Sequence, residues 1–72
     1  MSDWLSVGSC SPDSWRYARM IKFAQENDVF LGQSPFRHES DETHIEFYLD
    51  PDDYVRHGRE FLSIIAGDPW MR

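Results

Sequence analysis

Any chemistry in this chain has to come from one thiol, three imidazoles and thirteen carboxylates. Covalent catalysis needs a nucleophile, a base within reach of it, and a third group that orients the base. Cys10 follows the turn-like Gly8-Ser9 and precedes Ser11-Pro12-Asp13-Ser14, which reads as a helix start. A thiol at a helix N-terminus has its pKa lowered by the helix dipole. His38, His44 and His57 are the available bases. Their spacing matches no nucleophile motif, and a chain of 72 residues forms little more than a shallow pocket. The expectation is a protein that is not an enzyme, with Cys10 a small, partly buried residue.

Metal binding is the second chemistry to weigh. His38, Asp41, Glu42 and His44 crowd one stretch, and His57 follows downstream. Zinc sites carry tight Cys/His pairs, whereas these histidines lie six and thirteen residues apart. Calcium loops place their carboxylates at alternate positions ahead of a glycine, and that pattern is missing here. Asp50, Asp52 and Asp53 are explained as helix-capping and first-turn acids. Neither a metal nor a cofactor is expected.

The carboxylates themselves are the third feature. The formal charge is -6, yet residues 26–53 alone balance at -8, with +1 on each side of them. Such a block repels nucleic acid and membrane surfaces and attracts basic protein surfaces. Glu39, Asp41 and Glu42 fall in the polar run R-H-E-S-D-E. Just after it His44, Glu46 and Tyr48 alternate with Ile45, Phe47 and Leu49, the period of a half-buried strand. If helices cover only the apolar side, a His/Glu/Tyr surface lies exposed beside an acidic loop. That pairing of aromatic and acidic groups suits a binder of basic sites. Aromatics are also abundant, with three Trp, three Tyr and five Phe. Tyr17, Phe30, Phe47, Tyr54 and Phe61 suit a core. Trp4 and Trp70 either pack on each other or anchor an interface, where Trp is enriched. The expected partner-binding set is Glu39, Asp41, Glu42, His44, Glu46, Tyr48 and Trp70.

The elements that must position these groups follow from cap and periodicity signals. A short first strand is predicted over residues 4–7, with a turn at Gly8-Ser9-Cys10. A helix then starts at Ser11-Pro12 and runs to about Glu26, where Asn27 is a left-handed stop. Tyr17, Ala18, Met20, Ile21 and Ala24 form its buried stripe, while Arg16, Arg19 and Lys22 face solvent. A second strand is predicted at Val29-Phe30-Leu31, resuming toward Phe36 after Gly32 and Pro35 interrupt it. The third strand covers residues 43–49, and a second helix is capped by Asp50, begun by Pro51 and ended by Gly67. Tyr54, Gly58, Phe61, Leu62 and Ile65 form its core-facing stripe. The predicted fold is α+β: a small β-α-β-β-α domain with two helices packed on one face of a short, mainly antiparallel sheet. Residues 1–72 form a single compact domain on this reading, with one or both sheet edges open.

Size, charge and aromatic content together describe a protein that works by occupying a surface of a larger partner. Phage anti-defence proteins of the anti-CRISPR kind, nuclease-inhibiting immunity proteins and DNA mimics share this composition. The expected function is a small acidic inhibitor that occludes a basic surface of a larger partner, a nucleic-acid-binding one in the DNA-mimic version. As a DNA mimic, residues 39–53 would stand in for phosphates. The alternatives are a homo-oligomeric accessory protein, a homodimer in the simplest case, and a small histidine-dependent metal protein. One cysteine, no apolar run of membrane-spanning length and no basic leader at the start place the expected action in the cytoplasm. No direct contact with nucleic acid or membrane is expected.

Overall fold

The acidic turn at Asp50-Pro51 separates an alternating stretch from a helical one, and the whole architecture hangs on that junction. The computed structural model describes residues 3–67 and places the turn between β3 (Thr43–Leu49) and α2 (Pro51–Ala66). Upstream lie β1 (Leu5–Cys10), α1 (Trp15–Glu26) and β2 (Gly32–Arg37), giving the order β-α-β-β-α. The sheet is antiparallel throughout, with β3 in the centre of the order β1-β3-β2. This is the predicted α+β architecture.

Alternation along β3 decides which face is buried. Phe47 and Leu49 lose all solvent contact and join Val7 and Cys10 of β1, Met20 and Ala24 of α1, and Phe61 and Ile64 of α2. Both helices therefore pack on the Phe47/Leu49 face. Tyr17 lies 5.7 Å from Phe47 between ring centroids, and Phe23 meets Phe61 edge-on at 5.0 Å. Burying a side chain of the size of Phe or Leu contributes about 1.5–3 kcal/mol, so this small cluster dominates the stability.

Several local boundaries differ from the sequence expectation, each for a physical reason. The predicted turn at residues 8–10 is instead the second half of β1. Between Ser6 and Gly8 the register slips, so that Val7 and Gly8 both oppose Phe47 in a β-bulge. Gly8 takes φ 113°, and a Cβ there would sit 2.7 Å from Ile65 Cγ2. Glycine is required because α2 rests directly on this backbone.

The cap of α1 is Ser14 rather than Ser11. Ser14 Oγ accepts from the Arg16 N–H at 3.0 Å, while Ser11 O accepts from the Ser14 N–H at 3.0 Å to close a turn. Pro12 occupies the second position of that turn, where its fixed φ is favoured. The left-handed residue after α1 is Asp28, φ 56°, and Asn27 instead donates from Nδ2 to Phe23 O at 2.9 Å. Of the predicted stripe, Met20 and Ala24 are buried, whereas Ala18 is exposed.

The caps of α2 match the sequence reading. Asp50 Oδ1 accepts from the Asp53 N–H at 2.8 Å, and Gly67 ends the helix in the left-handed conformation at φ 73°. Its buried face runs through Gly58, Phe61 and Ile64, and Leu62 is 42% exposed instead of facing the core. Arg16, expected in solvent, is half-buried and donates from Nε to Ile65 O at 3.0 Å. That bond satisfies one of the last α2 carbonyls and joins the two helices.

β2 begins at Gly32, after the Val29-Phe30-Leu31 run predicted as strand. The Val29 N–H instead donates to Ala24 O at 2.8 Å and holds the chain to the end of α1. Phe30, assigned to the core from its sequence position, is 69% exposed. Pro35 sits within β2 because His38 N–H bonds to Glu42 O, which makes the Pro35/Ile45 pair a non-hydrogen-bonded one by alternation. The donor that proline lacks would have pointed to the open edge.

Candidate functional site

The sheet face opposite the helices carries the side chains that the core leaves over. Register aligns Ser6, Tyr48 and Gly32 in one row across the three strands, and Ser9, Glu46 and Ser34 in the next. His44 and Phe36 form a third pair. The even-numbered residues of β3 thus form a half-exposed strip, His44, Glu46 and Tyr48, as their spacing predicts.

Glu46 is the fixed point of this strip. Its Oε2 accepts from Ser6 Oγ at 2.8 Å and its Oε1 from the Tyr48 hydroxyl at 3.0 Å. Two hydroxyls hold the carboxylate in one geometry, and no cation pairs with it among the described residues. The bond to Glu46 raises the Tyr48 pKa above its ordinary value of 10.0, because a phenolate there would lose the donor and face a carboxylate.

The β2–β3 connection supplies the acidic edge. Asp41 N–H donates to His38 O at 2.9 Å, and Asp41 itself is left-handed at φ 67°. This is a three-residue hairpin loop, Glu39-Ser40-Asp41, with Glu39, Asp41 and Glu42 all exposed. Arg37 pairs with Asp41 at 2.8 Å, so one of the three acids is already neutralised. His38 stacks on His44 at 4.4 Å with an 18° interplanar angle, and Phe36 meets His44 edge-on at 6.0 Å. The Ser40 N–H donates to His38 Nδ1 at 3.3 Å, which places the proton of the neutral ring on Nε2.

At the other end of the strip lies an aromatic cleft of about 400 Å³, lined by Trp4, Phe30, Leu31, Gly32, Gln33 and Tyr48. Trp4 meets Phe30 edge-to-face at 5.6 Å. A Cβ at Gly32 would fall 3.0 Å from Trp4 Cζ3 and 3.3 Å from Tyr48 Cβ, so the indole lies directly on the β2 backbone. Gln33 is held from the opposite face, where its Oε1 accepts from the Tyr17 hydroxyl at 2.9 Å.

Of the seven expected partner-binding residues, His44, Glu46 and Tyr48 share the strip and Glu42 approaches His44 at 3.9 Å, whereas Glu39 and Asp41 lie on the adjoining loop, with Asp41 bonded to Arg37 on the other face of β2. Trp70 lies outside the described residues. Sequence reasoning missed Phe30, Gly32 and Phe36 as members of this face. Their signal is the period of two through Gly32, Ser34 and Phe36, which the glycine and proline of β2 disguise.

Residues considered for catalysis are not gathered. Cys10 ends β1 in the core, not at a helix N-terminus, and burial pushes its thiol above the ordinary 9.0, with Arg16 opposing weakly. His57 lies across the helices, edge-on to Phe23 at 5.9 Å. Among the described residues no group of three or more His, Cys, Asp or Glu is arranged to hold a metal ion. None of the described helices is long and apolar enough to cross a membrane. Compared with protein-family models, curated proteins and solved structures, the chain finds no match.

Proposed function

We propose that this protein is a small acidic binding protein that inhibits a larger partner by covering a basic surface, without carrying out chemistry itself. The observation that supports this reading is the sheet face left uncovered by the helices, where Trp4, Phe36, His44, Glu46 and Tyr48 lie beside an acidic hairpin loop. Aromatic side chains supply contact area there, and carboxylates supply selectivity and rapid encounter with a basic target. The nucleic-acid-mimic form of the reading rests on Glu39, Glu42 and Glu46, since Asp41 is spent on Arg37 and Asp50 on the α2 cap. Action in the cytoplasm belongs to the same proposal and is supported by the unbridged thiol of Cys10.

A homo-oligomeric accessory protein is the second reading, favoured by Val55 and Leu62, which are 85% and 42% exposed on α2. The deciding experiment immobilises the wild type and an E39K/D41K/E42K/E46K variant and identifies what each retains from host lysate. The wild type is expected to hold a basic protein that elutes as salt rises, and the folded variant to release it. Equal retention by both would sink the acidic-face reading.

A further inference from the structure

The uncovered face contains a cleft and a carboxylate that the binding proposal above does not by itself explain, and the two are joined through one side chain. Tyr48 lines the cleft with its ring and donates from its hydroxyl to Glu46. We infer that this cleft is a receptor for a single arginine side chain of the partner, held between the aromatic rings with its guanidinium turned toward Glu46.

Three independent observations carry this. The first is composition: Trp4, Phe30 and Tyr48 provide π faces and edges around a space of about 400 Å³, ample for one side chain. A cation placed over such rings is attracted by their quadrupoles, most strongly by Trp. The second is Phe30, which is 69% exposed and outside the core, so core packing does not account for a phenylalanine at this position. The third is Glu46, where two hydroxyl donors occupy two of about four acceptor sites and leave each oxygen one more. A guanidinium presents paired N–H groups to such a carboxylate and stacks on aromatic faces, which an ammonium does less well. Charge complementarity selects a cation over an apolar residue, since residues 26–53 balance at -8 and Glu46 has no cationic partner among the described residues.

Gly32 forms the floor of the cleft: a Cβ there would stand 3.0 Å from Trp4 Cζ3 and 3.3 Å from Tyr48 Cβ, so the rings would have to give by a few tenths of an ångström. The inference rests on the proposed binding function, but it is tested separately from it, with a small probe in place of the partner.

Isotope-labelled protein is titrated with N-acetylarginine amide, and the backbone amide and Trp indole resonances are followed. Saturable shifts at the Trp4 indole and at the Phe30, Gly32 and Tyr48 amides are expected. N-acetyl-leucine amide should produce none, and the lysine analogue should bind more weakly. Trp4→Ala and Glu46→Gln should each weaken the arginine probe by about fivefold or more, with the remaining spectrum unchanged. Shifts that are equal for leucine and arginine, that appear elsewhere, or that are absent would overturn the inference. Arginine binding at the cleft, combined with partner retention by an E39K/D41K/E42K variant that leaves Glu46 intact, would leave the receptor standing and remove the acidic-loop part of the binding proposal.

Discussion

Two side chains place their protons where the folded state keeps them, and both do so for reasons visible at the level of single atoms. Cys10 is desolvated in the core, and the Tyr48 hydroxyl is tied to a carboxylate. Each folded pKa therefore stands above its unfolded value. Their contribution to stability is complete below pH 9.0, the ordinary value of the thiol, and is lost as pH rises through the folded values, because the unfolded chain releases these protons first. Urea unfolding across the alkaline range should show stability declining, and a Cys10→Ala/Tyr48→Phe variant should show a shallower decline. An identical slope in both proteins would mean that neither group is linked to folding. The same burial makes Cys10 a slow thiol, opposite to the activated one its position ahead of Pro12 suggests. Nothing in the residue types around Cys10 reveals this, because it depends on whether Gly8-Ser9 turns or continues.

At the scale of elements, α2 is the best-specified piece, since Asp50, Pro51, Asp52 and Gly67 agree on where it begins and ends. Asp50→Ala should cost about 1 kcal/mol in the unfolding free energy, through loss of the bond to the Asp53 N–H. Denaturant titration of the variant reads this directly, and an unchanged midpoint would mean that another group takes over the cap. β3 was equally legible, because its alternation is uninterrupted and it has partners on both sides. The two outer strands were not. In β1 a glycine that signals a turn is absorbed as a bulge, and in β2 a proline that signals an end is tolerated at a position needing no donor. Both outcomes depend on pairing with β3, which is a long-range fact. The candidate site divides in the same way. His44, Glu46 and Tyr48 were readable from one strand, whereas Phe36, Gly32 and Phe30 join them only through the β2 register.

The whole molecule is a two-layer object with different surfaces front and back. One layer face is a sheet with aromatic and acidic side chains, and the other is a helix pair whose exposed apolar residues include Val55 and Leu62. These faces imply different kinds of association. Attraction through the sheet face weakens with salt, because exposed charges are screened beyond about 8 Å at physiological ionic strength. Self-association through Val55 and Leu62 does not weaken in this way. Sedimentation of the purified protein should show a monomer at about 0.1 M salt and no assembly on raising it to about 1 M. A dimer that persists or strengthens across that range, and is lost in a Val55→Asp/Leu62→Asp variant, would favour the oligomeric reading.

Among the described residues, a three-stranded sheet with its central strand paired on both sides leaves β1 and β2 each with one margin that no strand covers, and such margins can recruit other chains into fibrils. Here the two margins are guarded by different devices. The Val7/Gly8 bulge bends one out of the plane that continuous stacking requires, and Pro35 deletes a donor from the other. The same two irregularities that hide the strands from a reader of the sequence thus hide them from other copies of the chain. Both margins are thereby made poor templates for pairing with another copy of the chain.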